Sequence, residues 1–169
     1  LGDYNASFEN PTHIFDNPGE YNINLLVESN FGCTSNLNKN IIIYDLPNSI
    51  FSINTTACVG ENIDFIDLST SNNSNILSWE WDFGDGTTSY IQNPSHQYKN
   101  ANSFDISLSV ISSEGCKNDT TIESAIQIFS NPTADFTAST FKTSELLSEI
   151  EFYNNSEGSN NYYWNFDNN

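Results

Sequence analysis

Few residues in this chain are equipped for chemistry. The thiols are Cys33, Cys58 and Cys116, the imidazoles are His13 and His96, and the densest carboxylate run is Glu80, Asp82 and Asp85. No CxxC pair and no Cys/His spacing suits zinc. No Ser or Cys sits in a nucleophile motif, so a hydrolytic triad has no starting point and the chain reads as non-enzymatic. Glu80 and Asp82 alternate on one strand face and, with Asp85, are candidates for a weak calcium site. The competing reading makes them turn and surface carboxylates, since the spacing of an EF-hand loop is absent.

The two histidines occupy equivalent contexts, which is the first sign of repetition. Asn10-Pro11-Thr12-His13-Ile14-Phe15 is echoed 83 residues later by Asn93-Pro94-Ser95-His96-Gln97-Tyr98. Gly32-Cys33 returns as Gly115-Cys116, and Trp81-Asp82-Phe83 as Trp164-Asn165-Phe166, at the same offset of 83. Asp45-Leu46-Pro47 and Ser130-Asn131-Pro132 punctuate the copies. The register predicts the second half of one repeat over residues 1–46, a complete repeat over 47–131 and the first half of a third over 132–169. Gly2-Asp3 aligns with Gly84-Asp85 after a one-residue slip, and Asp167-Asn168-Asn169 replaces Gly-Asp-Gly. Both ends cut a motif, so the chain reads as an internal piece. A histidine recurring in each copy is expected to be structural.

Strands must position these groups. Tyr21–Val27 and Phe104–Val110 alternate an aromatic, Ile, Leu and Val with polar residues, the period of a half-buried strand. Ile41–Tyr44 and Ala125–Phe129 close their repeats, and further strands are expected at Ser49–Thr55, Asn62–Asp67 and Ser78–Phe83. Thr143–Ile150 is too short for a capped helix and reads as a loop or strand approach. About seven short strands per repeat predict an all-β chain of immunoglobulin-like sandwiches.

Composition narrows the partners. Four Lys+Arg against 22 Asp+Glu give a net charge of −18, which excludes nucleic acid and anionic lipid. Twelve Phe, eight Tyr and three Trp supply the buried area a disordered acidic segment would lack. No apolar run reaches the roughly 20 residues that span a bilayer, so no membrane insertion is expected. Few Lys and three Cys are compatible with an extracellular setting.

Trp81-Asp82-Phe83-Gly84-Asp85-Gly86, followed by Asn93-Pro94-Ser95-His96-Gln97-Tyr98 and the alternating strand Phe104–Val110, resembles a PKD (polycystic kidney disease) domain. The resemblance implies tandem sandwiches in which Trp81 and Phe83 fill the core and Gly84-Asp85-Gly86 makes a tight turn. Asn93-Pro94 then turns the chain before His96 and Tyr98. It further implies a non-catalytic spacer or adhesive stalk at the bacterial cell surface, similar to the large adhesins of gliding bacteria exported by type IX secretion. Its partners would be neighbouring repeats, surface glycans or other surface proteins. The alternative is an accessory module of a secreted hydrolase or protease, binding substrate through Trp79, Tyr90 or Tyr162. No cofactor is expected beyond the calcium candidate. In the expected strand order Cys58 precedes the second strand and Cys116 follows the long one. A Cys58–Cys116 disulfide is therefore expected at one end of the sandwich, closing a loop of about 60 residues and adding roughly 4 kcal/mol. Cys33 would pair outside the chain; a Cys33–Cys58 link is the rival, and free thiols are the remaining option.

Overall fold

The computed structural model describes residues 8–72, 74–140 and 149–166. Residues 2–3, 167–169 and most of the Thr143–Ile150 segment, on which expectations were placed above, lie outside the described residues. Among the described residues there are only strands, turns and loops, with no helix.

The chain opens with a hairpin of β1 (Gly19–Glu28) and β2 (Thr34–Ile43), paired over ten residues without a register shift. There follow β3 (Phe51–Ser52), β4 (Thr56–Cys58), β5 (Ile63–Asp64), β6 (Ile66–Asp67) and β7 (Ile76–Asp82). Next come β8 (Thr88–Ser89), β9 (Ser95–His96), β10 (Ser103–Ser112) and β11 (Lys117–Phe129). A last hairpin joins β12 (Phe136–Ala138) to β13 (Phe152–Asn154).

Strands β3 to β11 build an immunoglobulin-like sandwich. One sheet has the order β4-β11-β10-β7-β8. Facing it, β3 and β9 flank the β5–β6 segment, with β3 paired to β6 and β9 to β5. Period-two alternation fills the space between them: Phe104, Ile106, Leu108 and Val110 on β10 all point inward and are buried. From the other strands Phe51, Ile63, Phe65, Trp81, Phe83, Tyr98, Ile126 and Ile128 complete one core. Its centre is aromatic, with Trp81 edge-on to Phe51 at 5.3 Å and to Phe65 at 5.6 Å.

The chain crosses this sandwich from pole to pole. Asn118 donates to the Pro47 carbonyl at 2.8 Å, which ties the entry to the β10–β11 turn. Asn131 donates to the Val59 carbonyl at 3.1 Å beside the far end of β11, which ties down the exit. Strand β4 lies at that exit pole, paired parallel to β11 with Cys58 opposite Phe129.

That placement corrects the expected disulfide. Cys116 precedes the first residue of β11 and Cys58 sits beside its last, so most of the length of that bulged 13-residue strand, roughly 35 Å at ~3.3 Å per residue, separates them. A disulfide needs Cα atoms within roughly 7 Å. All three cysteines are free: Cys58 and Cys116 are half-buried and Cys33 is exposed, so the Cys33–Cys58 rival is not formed either. Thr56–Cys58 leaves the β3 side and joins the opposite sheet, which carries Cys58 away from the hairpin turn.

Candidate functional site

The motif residues gather at one edge of the sandwich, where β7 runs into the turn before β8. Trp81 and Phe83 share the inward face, and their side chains are 0% and 3% exposed. Asp82 points outward and accepts the Gly84 N–H at 2.9 Å, folding the chain back. Gly84 has φ of +74°, and a Cβ there would collide with the Asp105 carbonyl oxygen, so only glycine fits. Gly86 also has positive φ but faces open space.

Asp85 closes the turn. One carboxylate oxygen accepts the Thr87 N–H at 3.0 Å and the Thr87 hydroxyl at 2.6 Å. The other meets His96 Nε2 at 2.8 Å, and the imidazole stacks on Phe83 at 4.3 Å, nearly parallel. Partial burial pushes the Asp85 carboxyl up, but the hydrogen bonds from Thr87 and His96 outweigh it and hold it below the usual carboxylate range. Thr87, Asp85 and His96 form one cluster in which His96 Nε2 also lies 3.5 Å from the Thr87 hydroxyl, while both groups make their shorter contacts, 2.6 and 2.8 Å, to the Asp85 carboxylate that closes the turn.

Beneath the turn, the Tyr98 hydroxyl donates to the Phe83 carbonyl at 2.9 Å, and its ring stacks on Phe104 at 4.3 Å. Burial, with the nearby Asp85 and Asp82 charges, pushes the Tyr98 phenol well above its ordinary range. Asn93 accepts the Asp67 N–H at 2.8 Å, and Pro94 is buried with its carbonyl taking the Phe65 N–H at 2.9 Å. The Asn-Pro turn thus anchors the second sheet.

The candidate ligands do not converge on a cation: among the described residues no three His, Cys, Asp or Glu form a metal-sized group. Glu80 is exposed, with Tyr90 at 3.5 Å, while Asp82 and Asp85 serve their own turn. His13, the repeat partner of His96, packs edge-on against Phe15 at 4.5 Å.

Of the aromatics proposed for ligand contact, Trp79 shares the inward face with Trp81 and is half-buried, its indole N–H given to Asp67 at 2.7 Å. Asp67, overlooked in the sequence, also accepts from Ser69 and Gln92. Burial pushes its carboxyl up, but these hydrogen bonds prevail and lower it. Tyr90 is exposed on the β8 edge. Tyr162 belongs to a larger aromatic concentration, in which Phe136, Phe152, Tyr162, Tyr163, Trp164 and Phe166 line an open cavity of about 460 Å³.

Residues 47–128 match the family model described as the PKD domain. Over 70 residues the chain is 46% identical to a microbial collagenase of Vibrio alginolyticus, a match covering 41% of this chain and 9% of that protein. Over 58 residues it is 41% identical to collagenase ColA of Bacillus cereus, covering 34% of this chain and 6% of that protein. The chain therefore spans less than a tenth of these curated relatives. Among solved structures it is similar to the PKD1 domain of Vibrio anguillarum Epp, with 27% identity and a TM-score of 0.45 over 51% of this chain and 99% of that one.

Proposed function

Because residues 47–128 are a PKD domain, we propose that the chain is a non-catalytic accessory segment of an extracellular bacterial protease that acts on collagen or a similar fibrous substrate. The observation that carries this reading is the 46% identity to the Vibrio alginolyticus collagenase. The relatives favour it over the adhesive stalk of gliding bacteria, which rests on the character of the repeats alone. The motif supports a structural role, since each of its polar side chains is spent on the turn or on the neighbouring sheet.

On this reading the repeats, with boundaries at 46/47 and 131/132, hold a catalytic domain at a distance from its anchor and present exposed aromatics to the substrate. Tyr90 and Tyr163, which are 70% and 96% exposed, are the contacts. Co-sedimentation of the 169-residue chain with insoluble collagen tests it. Retention on the fibrils that weakens when Tyr90 and Tyr163 are both changed to Ala is expected. A chain left wholly in the supernatant would discard substrate binding and leave a spacer.

A further inference from the structure

The turn after β7 contains a chemical step that its structural role leaves unused. Asp85-Gly86 is the chain's single Asp-Gly pair, and no Asn-Gly pair occurs. In such a pair the glycine nitrogen can attack the aspartate's carboxyl carbon, because no side chain on the glycine shields it. A Cβ built at Gly86 would meet nothing within 4 Å, so the glycine side of the reaction is open.

The carboxyl side is closed. Attack needs a neutral carboxyl that is free to swing over the Gly86 nitrogen. Instead, one oxygen accepts the Thr87 N–H at 3.0 Å and the Thr87 hydroxyl at 2.6 Å, and the other meets His96 Nε2 at 2.8 Å. The carboxyl is thereby held toward the residue beyond Gly86. These bonds also keep it below its ordinary range, so the neutral form is scarce. Both partners are themselves fixed. The His96 ring is stacked on Phe83 at 4.3 Å and edge-on to Tyr98 at 4.7 Å. The Thr87 carbonyl accepts the Phe83 N–H at 3.2 Å, and Thr88 pairs with Asp82 on β7.

We propose that Asp85-Gly86 is a latent site of isoaspartate formation, and that Thr87 and His96 hold it in check while the domain is folded. The reaction balances with water alone. The Gly86 nitrogen loses its proton and bonds to Asp85 Cγ, and the carboxyl OH leaves with a proton as water, giving a succinimide ring. Water then adds to the main-chain carbonyl carbon of Asp85 and breaks its bond to the Gly86 nitrogen. The chain now runs through Cγ, one methylene longer, with a free carboxylate on Cα. Composition is unchanged, but the carboxylate stands on a shorter arm and no longer bridges Thr87 and His96. The β7–β8 pairs Trp81–Ser89 and Asp82–Thr88, which the turn keeps in register, are lost with it. The rate is set by how often the turn opens, not by any partner or substrate.

Ageing in heavy-oxygen water tests it. The 169-residue chain is incubated warm at mildly acidic pH beside a peptide of residues 81–90, which serves as the unfolded reference. Passage through the ring leaves one heavy oxygen at Asp85, read by mass spectrometry of the digested chain, and chromatography separates the isoaspartyl peptide. In the intact chain the label is expected to enter about tenfold or more slowly than in the peptide, because reaction waits on local opening. His96→Ala and Thr87→Val each free one side of the carboxyl and are expected to recover much of the peptide's rate, in chains whose circular dichroism shows the sandwich folded. Tyr98→Phe weakens the core beneath the turn but leaves every bond to Asp85 in place, and is expected to stay slow. Labelling as fast in the intact chain as in the peptide would overturn the proposal. So would a folded His96→Ala or Thr87→Val chain that labels no faster than the parent, or a Tyr98→Phe chain that labels as fast as either.

Discussion

Trp81 and Trp164 stand in the same arrangement of rings, yet one is wholly buried and the other 42% exposed. The arrangement is therefore a property of the first half of the repeat, fixed by two short antiparallel pairings and local packing. Burial is a property of the whole, and it arrives only with the hairpin laid across it. Hydrophobic stabilisation follows burial, so equal geometry at the two tryptophans implies unequal energy.

The sharpest way to break this comparison is to truncate each ring. Trp81→Ala is expected to cost about 3–5 kcal/mol in denaturant unfolding, because it opens a cavity in a closed core, while Trp164→Ala costs at most about 1 kcal/mol in the monomeric chain. Equal losses would mean that the last segment is already covered.

A smaller contrast lies within one turn. Gly84→Ala is expected to lose about 2–3 kcal/mol, from both positive φ and the Asp105 carbonyl, and Gly86→Ala about 1 kcal/mol, from φ alone. Thermal melts of the pair measure the part due to collision.

Tyr98→Phe removes the buried bond to the Phe83 carbonyl and is expected to cost about 1–2 kcal/mol. The same phenol gives a pH signature. Its ionisation is disfavoured in the folded state, so its contribution is complete below the unfolded value of 10.0 and is lost as pH rises beyond it. Asp67 and Asp85 have the opposite sign. Their carboxyls are lowered from 3.8, so their contribution is present above that value and fades as pH falls below it. Melting temperature against pH should fall at both limits, and Tyr98→Phe should flatten only the alkaline one.

Least is expected of the Asp85–His96 pair. Its side chains are 20% and 16% exposed, and Asp85→Asn at neutral pH should cost no more than about 1 kcal/mol. A larger loss would show that the turn depends on the charge and not only on its hydrogen bonds.

Long alternating strands were legible in the sequence because period two names both the strand and its inward face. Phe104–Val110 announced the core, and the Gly84-Asp85-Gly86 turn was readable from its residue types. Trp79 was misread as a surface contact although its spacing from Trp81 already placed it inside. The segments β4, β8 and β9 span two or three residues, too few to show a period, and their positions depend on partners distant in sequence. That is why the fate of Cys58 was lost: its strand pairs in parallel with the far end of β11. Asp67 escaped for a similar reason, since its donors Trp79 and Gln92 meet it only in the folded sandwich. The irregular pairing near Ser124, at φ of +49°, carried no glycine to announce it.

The entry at Pro47 and the exit at Asn131 lie at opposite poles, the length of β11 apart. A domain that returned its chain to the side it came from would lengthen the gene without lengthening the protein's reach. Were such copies joined in line, each would add roughly 35 Å of reach, the span between these two poles. Duplication or loss of one copy would then move whatever is carried at the far end by one fixed step, with no redesign of either neighbour.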